Sequence, residues 1–452
     1  MRLMFARQTA TGFEHAEFSG ERLVNWYLQP HPDQGGAPAI LAPSPGLTLF
    51  STLSLGDPVR AIHVQHSVAY AACGGELWQV TAAGVATSLG WIGDDQNTTV
   101  TGNGSDVAVA SGGLYFVWDG ATLQNTSPGA FTDAGSVTRL DNYVIISELN
   151  GQRFSYSALG DASDVDALDF ASAESAPDDV VRVLADHSEL WFFGTRSTEV
   201  WGNGGNPDLP FQRISGGVIE RGCAFPNAVG KDDNSVFWVG DDRLVYRAQG
   251  YTPTVISPPW VSERLEALAD SADVQGFPIS WRGAKQYVLR LPSDRSLVFD
   301  AATGLWHERD SGTEGGPWLG RCADRMGAAT LVGGNDGRIY TLGGLTDGGT
   351  TIVREAVSLP VMSRGERITV SNVAVQFRTG ATDIGREAQV MMQCSVDGRT
   401  WGRERWRTLG GIGNYRKRAS WSGFGVGRQF QFRVRISDPI ETALYGAEIA
   451  AS

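Results

Sequence analysis

The sequence predicts an all-β protein: a β-propeller of about seven blades, preceded by an extended arm and followed by a β-sandwich-like domain. Three observations point there. Glycine is in excess between short apolar runs, a hairpin unit recurs seven times, and a clean two-residue alternation is confined to the last hundred residues.

The 57 glycines among 452 residues are close to double ordinary usage. They fall singly or in pairs between apolar stretches, the pattern of turns in a many-hairpin β protein. A length of 452 residues exceeds one ordinary core, so more than one folded unit is expected. Hydrophobic residues at 42%, with 14 Trp, give ample apolar area to bury.

The first fifty residues read as an arm that runs over another surface. Leu23-Val24-Asn25-Trp26-Tyr27 is a short strand candidate, and the Pro-rich stretch from Pro30 to Pro45 cannot hold a helix.

From residue 51 to 350 an apolar strand, a turn and a second apolar strand recur. The paired runs are Val68 to Tyr70 with Leu77 to Val80, Val107 to Val109 with Leu114 to Trp118, and Tyr143 to Ile146 with Phe154 to Tyr156. Four more follow: Leu190 to Phe193 with Thr198 to Trp201, Val236 to Val239 with Leu244 to Tyr246, Tyr287 to Leu291 with Leu297 to Phe299, and Ala329 to Val332 with Ile339 to Leu342. Their turns near 75, 112, 150, 195, 241, 293 and 336 are spaced by 37 to 52 residues, the length of a four-stranded propeller blade. Seven blades is the count, with six or eight also open. Two consecutive sandwiches with evenly spaced hairpins are the competing architecture. One segment breaks the pattern: Val261 to Ala269, with Leu265 and Leu268 three apart and Ser262 as cap, reads as a short inserted helix.

Residues 351 to 452 alternate more strictly, as in Val373-Ala374-Val375-Gln376-Phe377 and in Gln429 to Ile436. One face is apolar and the other rich in arginine, which fits a sandwich of about a hundred residues.

Charge divides at the same place. Residues 351 to 452 hold 15 Lys plus Arg against 9 Asp plus Glu, whereas residues 1 to 350 hold 22 against 41. The net charge of −13 argues against sequence-independent nucleic-acid binding. No signal-type apolar core opens the chain and no apolar run reaches membrane-spanning length, so a soluble protein outside the Sec route is expected. Cys73, Cys223, Cys322 and Cys394 lie far apart without metal-ligand spacing and read as idle thiols in a reducing compartment.

Tests for chemistry come back empty. Ser395-Val396-Asp397-Gly398-Arg399-Thr400-Trp401 is close to the Asp-box of sialidase propellers but lacks the residue between Asp and Gly, and an Asp-Gly turn capped by its own Ser and Thr explains it. The acidic run Asp161, Asp164, Asp166 and Asp169 lacks the Gly and closing Glu of an EF-hand loop. The six histidines show no metal motif and are assigned to surface or loop positions, and no nucleotide-binding loop is present. No catalytic residue, metal or cofactor is expected. Arg403, Arg405, Arg407, Arg416, Lys417 and Arg418 surround Trp401, Trp406, Tyr415 and Trp421, a mixture typical of protein interfaces and equally compatible with a solvated sheet face.

Read in order, Glu21-Arg22-Leu23-Val24-Asn25-Trp26-Tyr27 and Leu41-Ala42-Pro43-Ser44-Pro45-Gly46-Leu47 resemble the start of packaged-DNA stabilisation proteins, the tail hub or nozzle subunits of short-tailed phages. Leu190 to Gly194 running to Ser197 to Trp201, Tyr287 to Pro292 running to Leu297 to Asp300, and the ending Arg433-Val434-Arg435-Ile436-Ser437 fit the same family. The resemblance implies a non-enzymatic virion protein, synthesised and assembled in the host bacterial cytoplasm. Six copies would form a ring below the portal and its adaptor, with tail fibre or tailspike and a plug or needle as further partners. The ring would retain packaged DNA and pass it through a channel without sequence-specific binding. An acidic chain suits such a conduit, because negative walls do not hold a sliding phosphate backbone, and a conduit lined by Lys and Arg would overturn that idea. The basic C-terminal domain would then dock an acidic protein neighbour. The alternative is a propeller that binds a glycan or host surface protein through its loops.

Overall fold

The computed structural model describes residues 3–5, 20–30, 39–173, 177–206, 209–313, 315–363 and 366–452. Seven four-stranded antiparallel blades account for most of them. Blade 1 is Val59–Gln65, Val68–Cys73, Glu76–Val80 and Ala86–Trp91, and blade 2 is Thr99–Gly102, Val107–Ser111, Leu114–Trp118 and Leu123–Thr126. Blade 3 is Ala134–Leu140, Tyr143–Glu148, Arg153–Tyr156 and Phe170–Ser172, and blade 4 is Val180–Asp186, Glu189–Gly194, Thr198–Asn203 and Phe211–Ile219. Blade 5 is Val229–Asp232, Ser235–Val239, Val245–Gln249 and Thr252–Val255, and blade 6 is Gln275–Trp281, Ala284–Arg290, Ser296–Asp300 and Leu305–Arg309. Blade 7 takes Gly320–Met326, Ala329–Gly334 and Arg338–Leu342 from the end of the repeat region, and its outer strand, Leu47–Thr52, from the beginning. The seven hairpins read from the sequence are the middle hairpins of the seven blades.

The first strand of each blade is innermost. Neighbouring first strands are tied by side-chain hydroxyls: Val137 N donates to Thr99 Oγ1 at 2.9 Å, Val183 N to Ser136 Oγ at 3.0 Å and Ala185 N to Thr138 Oγ1 at 3.0 Å. Seven apolar clusters fill the spaces between blades, one for each neighbouring pair. Strand alternation decides membership: Leu190 and Phe192 pack toward blade 3, while Trp191 and Phe193 pack toward blade 5. Both faces of the second strand in most blades are therefore buried, which explains its mainly apolar run. At the Gly74-Gly75 turn both residues have positive φ, 61° and 75°, as a two-residue hairpin requires.

The segment Leu23 to Tyr27 is not one strand. Asn25 has φ 57° and splits it, so that Arg22–Val24 and Trp26–Pro30 enter different sheets. Asn25 holds the bend by donating Nδ2 to Asp310 Oδ1 at 2.5 Å and to the Val353 carbonyl at 2.9 Å. Arg22–Val24 lies between the outer strand of blade 6, which it meets in parallel at Glu308, and Arg354–Val357, which it meets antiparallel. One continuous sheet thereby runs from blade 6 through Gln429–Ile436 and Ala388–Ser395 to Arg405–Gly410. The facing sheet orders Trp26–Pro30, Ala39–Pro43, Ala443–Ala451, Ile368–Arg378 and Arg416–Gly427. Between the two lies a single core containing Trp26, Leu41, Val373, Phe377, Met392, Trp421, Phe430 and Phe432.

The helix covers Pro259–Glu266 rather than Val261 to Ala269. Ser262 is inside it, buried, with its hydroxyl 3.0 Å from Ser257 Oγ; the start is set by Pro259, whose fixed φ suits the first turn. Trp260, Val261 and Leu265 plug the space between blades 5 and 6. It is the one helix among the described residues and is far too short to cross a membrane.

Candidate interface and axial cavity

Arg405–Gly410 and Arg416–Gly427 are the terminal strands of the two opposed sandwich sheets, so the basic and aromatic cluster sits where two unpaired strand edges meet. The six cations divide into two groups there. Arg405 and Arg407 bind this domain itself: Arg405 Nη1 donates to the Ser422 carbonyl at 2.7 Å and Nη2 to the Gly423 carbonyl at 3.1 Å, and Arg407 Nε donates to the Ser420 carbonyl at 2.9 Å. The Arg405 guanidinium also lies 4.5 Å from the Phe424 ring centre, and Trp421 Nε1 returns a bond to the Arg405 carbonyl at 2.9 Å. Arg418 pairs with Glu448 at 3.3 Å, and Lys417 is half-buried. Arg403 and Arg416 are exposed, and their side chains have no hydrogen bond or ion pair among the described residues. Beside them Trp406, Ile412 and Tyr415 are 48%, 65% and 64% exposed, while Trp421 is fully buried.

The remaining sequence candidates fall into structural roles. Asp397 accepts from Arg399 N at 2.9 Å and Thr400 N at 2.7 Å, and these backbone donors hold its carboxyl far below the usual range: it is a turn cap. In the acidic run Asp161 caps Ser163 and Asp166 caps Leu168, and no group of three potential metal ligands occurs among the described residues. The four cysteines are free, and burial pushes the thiols of Cys223, Cys322 and Cys394 up to about 12. Not all histidines are superficial. His307 is 4% exposed and His63 faces the propeller axis, whereas His15 and His31 lie outside the described residues.

Sequence reasoning missed the axis itself. The seven innermost strands enclose a cavity of about 660 Å³ whose lining includes Arg60, Arg139, Arg182, Lys231 and Arg321 against one carboxylate, Asp324. That is opposite in sign to the acidic balance of residues 1 to 350. At one end the loop from blade 1 to blade 2 crosses the mouth. Asp94 there pairs with Arg60, and Asn227 Nδ2 donates to the Gln96 carbonyl at 2.9 Å and to Asn97 Oδ1 at 3.0 Å. Arg321 Nη1 meets Asp273 at 2.7 Å. Arg60 Nη1, Arg182 Nε and Arg321 Nε are buried donors without a partner among the described residues.

Two family models match the chain in succession: residues 6–346 match the one described as bacteriophage P22 Gp10, beta-propeller, and residues 356–452 the one described as bacteriophage P22 Gp10, beta-sandwich. No curated protein matches. Among solved structures, similar chains include the computationally designed Ika8 protein, at 12% identity and TM-score 0.40 over 65% of this chain and 99% of that one. The Pan2 WD40 domain of Neurospora crassa is similar at 8% identity and TM-score 0.44, over 66% of this chain and 96% of that one. YCF48 of Cyanidioschyzon merolae is similar at 12% identity and TM-score 0.43, over 66% and 98%.

Proposed function

Since this chain belongs to the bacteriophage P22 Gp10 family, the packaged-DNA stabilisation or tail hub proteins of short-tailed phages, it is a structural tail protein, and we propose that six copies form the hub ring below the portal and its adaptor. The observation that carries this reading is the order and extent of the match, propeller then sandwich, across nearly the whole chain. In the ring, the chain retains packaged DNA and forms the passage for its release, and it contributes no catalytic step.

The sandwich edge is the proposed docking face. Arg403 and Arg416 offer uncompensated charge, and Trp406, Ile412 and Tyr415 offer apolar area beside it, the mixture that an acidic protein neighbour such as the adaptor, fibre or plug subunit would cover. The acidic balance of residues 1 to 350 suits the DNA-facing wall of the ring. The basic axial cavity lies within one propeller and is a separate space from a conduit shared by six copies.

Electron microscopy of purified particles tests the proposal. A six-fold ring of this fold beneath the portal, enclosing a DNA-width channel, is expected. Particles that lack the chain, with the protein recovered only as free monomer, would overturn it. A channel wall rich in Lys and Arg would leave the ring standing and remove the acidic-conduit argument.

A further inference from the structure

The axial cavity is polarised around its circumference. Arg139, Arg182 and Lys231 come from the innermost strands of blades 3, 4 and 5, and among the described residues no carboxylate from those three blades lines the cavity. Two of the three converge at one depth. Lys231 Nζ donates to the Ala185 carbonyl, and Ala185 N donates to Thr138 Oγ1 at 3.0 Å, which places Arg139, the next residue, beside the same level. Arg182 lies three residues deeper toward the capped end.

Among the described residues none of these cations has a direct ion pair. Among the described residues the Arg139 side chain has no hydrogen bond or ion pair, and the Arg182 side chain reaches only Asn227 Oδ1, at 3.4 Å, its Nε having no partner there. The nearby carboxylates are engaged elsewhere. Asp186 is 3.1 Å from His187 Nδ1, and Asp324 accepts from Val64 N at 2.6 Å and faces His63 Nδ1 at 3.7 Å. Arg139 and Lys231 are exposed into the open cavity and Arg182 is half-buried; like charges gathered there without a carboxylate are costly, and two of the three groups register it. Desolvation brings the Arg182 guanidinium down to about 10, and desolvation likewise lowers Lys231 despite the opposing pull of Asp186 and Asp324. An anion entering the cavity would recover that cost.

We propose that the axial cavity binds a phosphate group on the arc formed by Arg139, Arg182 and Lys231, entering at the end opposite the Asp94 to Asn97 loop. Guanidinium and ammonium donors carried by three adjacent innermost strands suit the several oxygens of a tetrahedral oxyanion. A cavity of about 660 Å³ holds a small phosphomonoester as readily as free phosphate.

The test is calorimetric titration of the full chain at low ionic strength, in phosphate-free buffer, with inorganic phosphate and separately with adenosine monophosphate. Saturable binding at one site per chain is expected, weakened about tenfold or more by Arg139→Gln and by Lys231→Gln and unchanged by Arg403→Gln on the sandwich. Binding of both probes assigns the site to phosphomonoesters, and binding of inorganic phosphate alone assigns it to the free anion. Absence of heat with either probe up to about 10 mM, or wild-type affinity in both cavity variants, overturns the proposal. Should the variants not fold, thermal melting of the unaltered chain decides: phosphate must raise the midpoint more than chloride of equal ionic strength, and equal effects overturn it.

Discussion

Arg22 on the N-terminal strand donates Nη2 to Glu308 Oε1 on the outer strand of blade 6 at 3.0 Å, and this pair locks the propeller to the sandwich. Glu308 is 2% exposed and also receives Arg264 Nη2, from the helix, at 2.6 Å. Replacing Glu308 by Ala leaves two arginines facing an apolar gap. Loss of a buried partner of this kind costs about 3–5 kcal/mol, to be read as a lower urea midpoint. The pair also responds to acid. Burial works to raise the Glu308 carboxyl, but the Arg22 hydrogen bond and the charges of Arg22 and Arg264 together outweigh it and hold the group below its ordinary 4.5. The stability it supplies is present above pH 4.5 and is lost as pH falls through the depressed value, so Glu308→Gln should flatten the acid limb of the stability curve. An unchanged limb would place that proton uptake elsewhere.

Closure of the propeller rests on a strand from the wrong end of the chain, which gives a paired test. Leu47 and Leu49 both belong to Leu47–Thr52, yet Leu47 is 1% exposed in the core between blades 6 and 7 and Leu49 is 54% exposed. Leu47→Ala should cost about 2–5 kcal/mol in denaturant unfolding, and Leu49→Ala less than about 0.5 kcal/mol. Equal losses would mean that the strand contributes through its backbone alone.

The same strand shows where sequence reading stops. The middle hairpins were legible because the second strand of most blades is buried on both faces and wrote a mainly apolar run, with a turn and a shorter apolar stretch after it. The outer strand of blade 7 was not, since Arg338 pairs with Thr52 across almost the full repeat region and no local pattern announces a partner that distant. Asn25 shows a second limit: its apolar neighbours read as one strand, and only its buried bonds to Asp310 and Val353 reveal the bend. The cationic cavity escaped for a third reason. Arg139 and Arg182 lie on innermost strands that carry polar residues on the axial face, and a single cation in such a strand looks like ordinary solvent exposure until the blades close around it. At the sandwich edge the sequence grouped six cations that the fold separates, because it could not see that Arg405 and Arg407 reach across to the carbonyls of the opposing strand.

That separation decides which of the six cations can test docking. Reversal of Arg405 or Arg407 to Glu removes bonds between the two sheets and should cost about 1–2 kcal/mol of domain stability through lost charge-assisted hydrogen bonds. Arg403→Glu with Arg416→Glu should leave the melting curve of the isolated chain unchanged and reduce its incorporation into particles. Full incorporation of that double variant would remove this edge as the docking face.

His307 gives a prediction in a milder pH range. Its ring is buried 6.5 Å from Tyr27, its Nε2 has no partner among the described residues, and desolvation, with Arg309 nearby, drives it from 6.5 to about 3. The folded chain therefore refuses a proton that the unfolded chain accepts. Stability falls as pH drops below 6.5, by up to about 1.4 kcal/mol per pH unit for one such group. His63, also depressed chiefly by desolvation, adds to the slope and does not belong to this core. The difference between the wild type and His307→Phe isolates the buried ring: between pH 6.5 and 5.0 the variant should lose distinctly less stability. Parallel curves would mean that His307 reaches water or a partner when it charges.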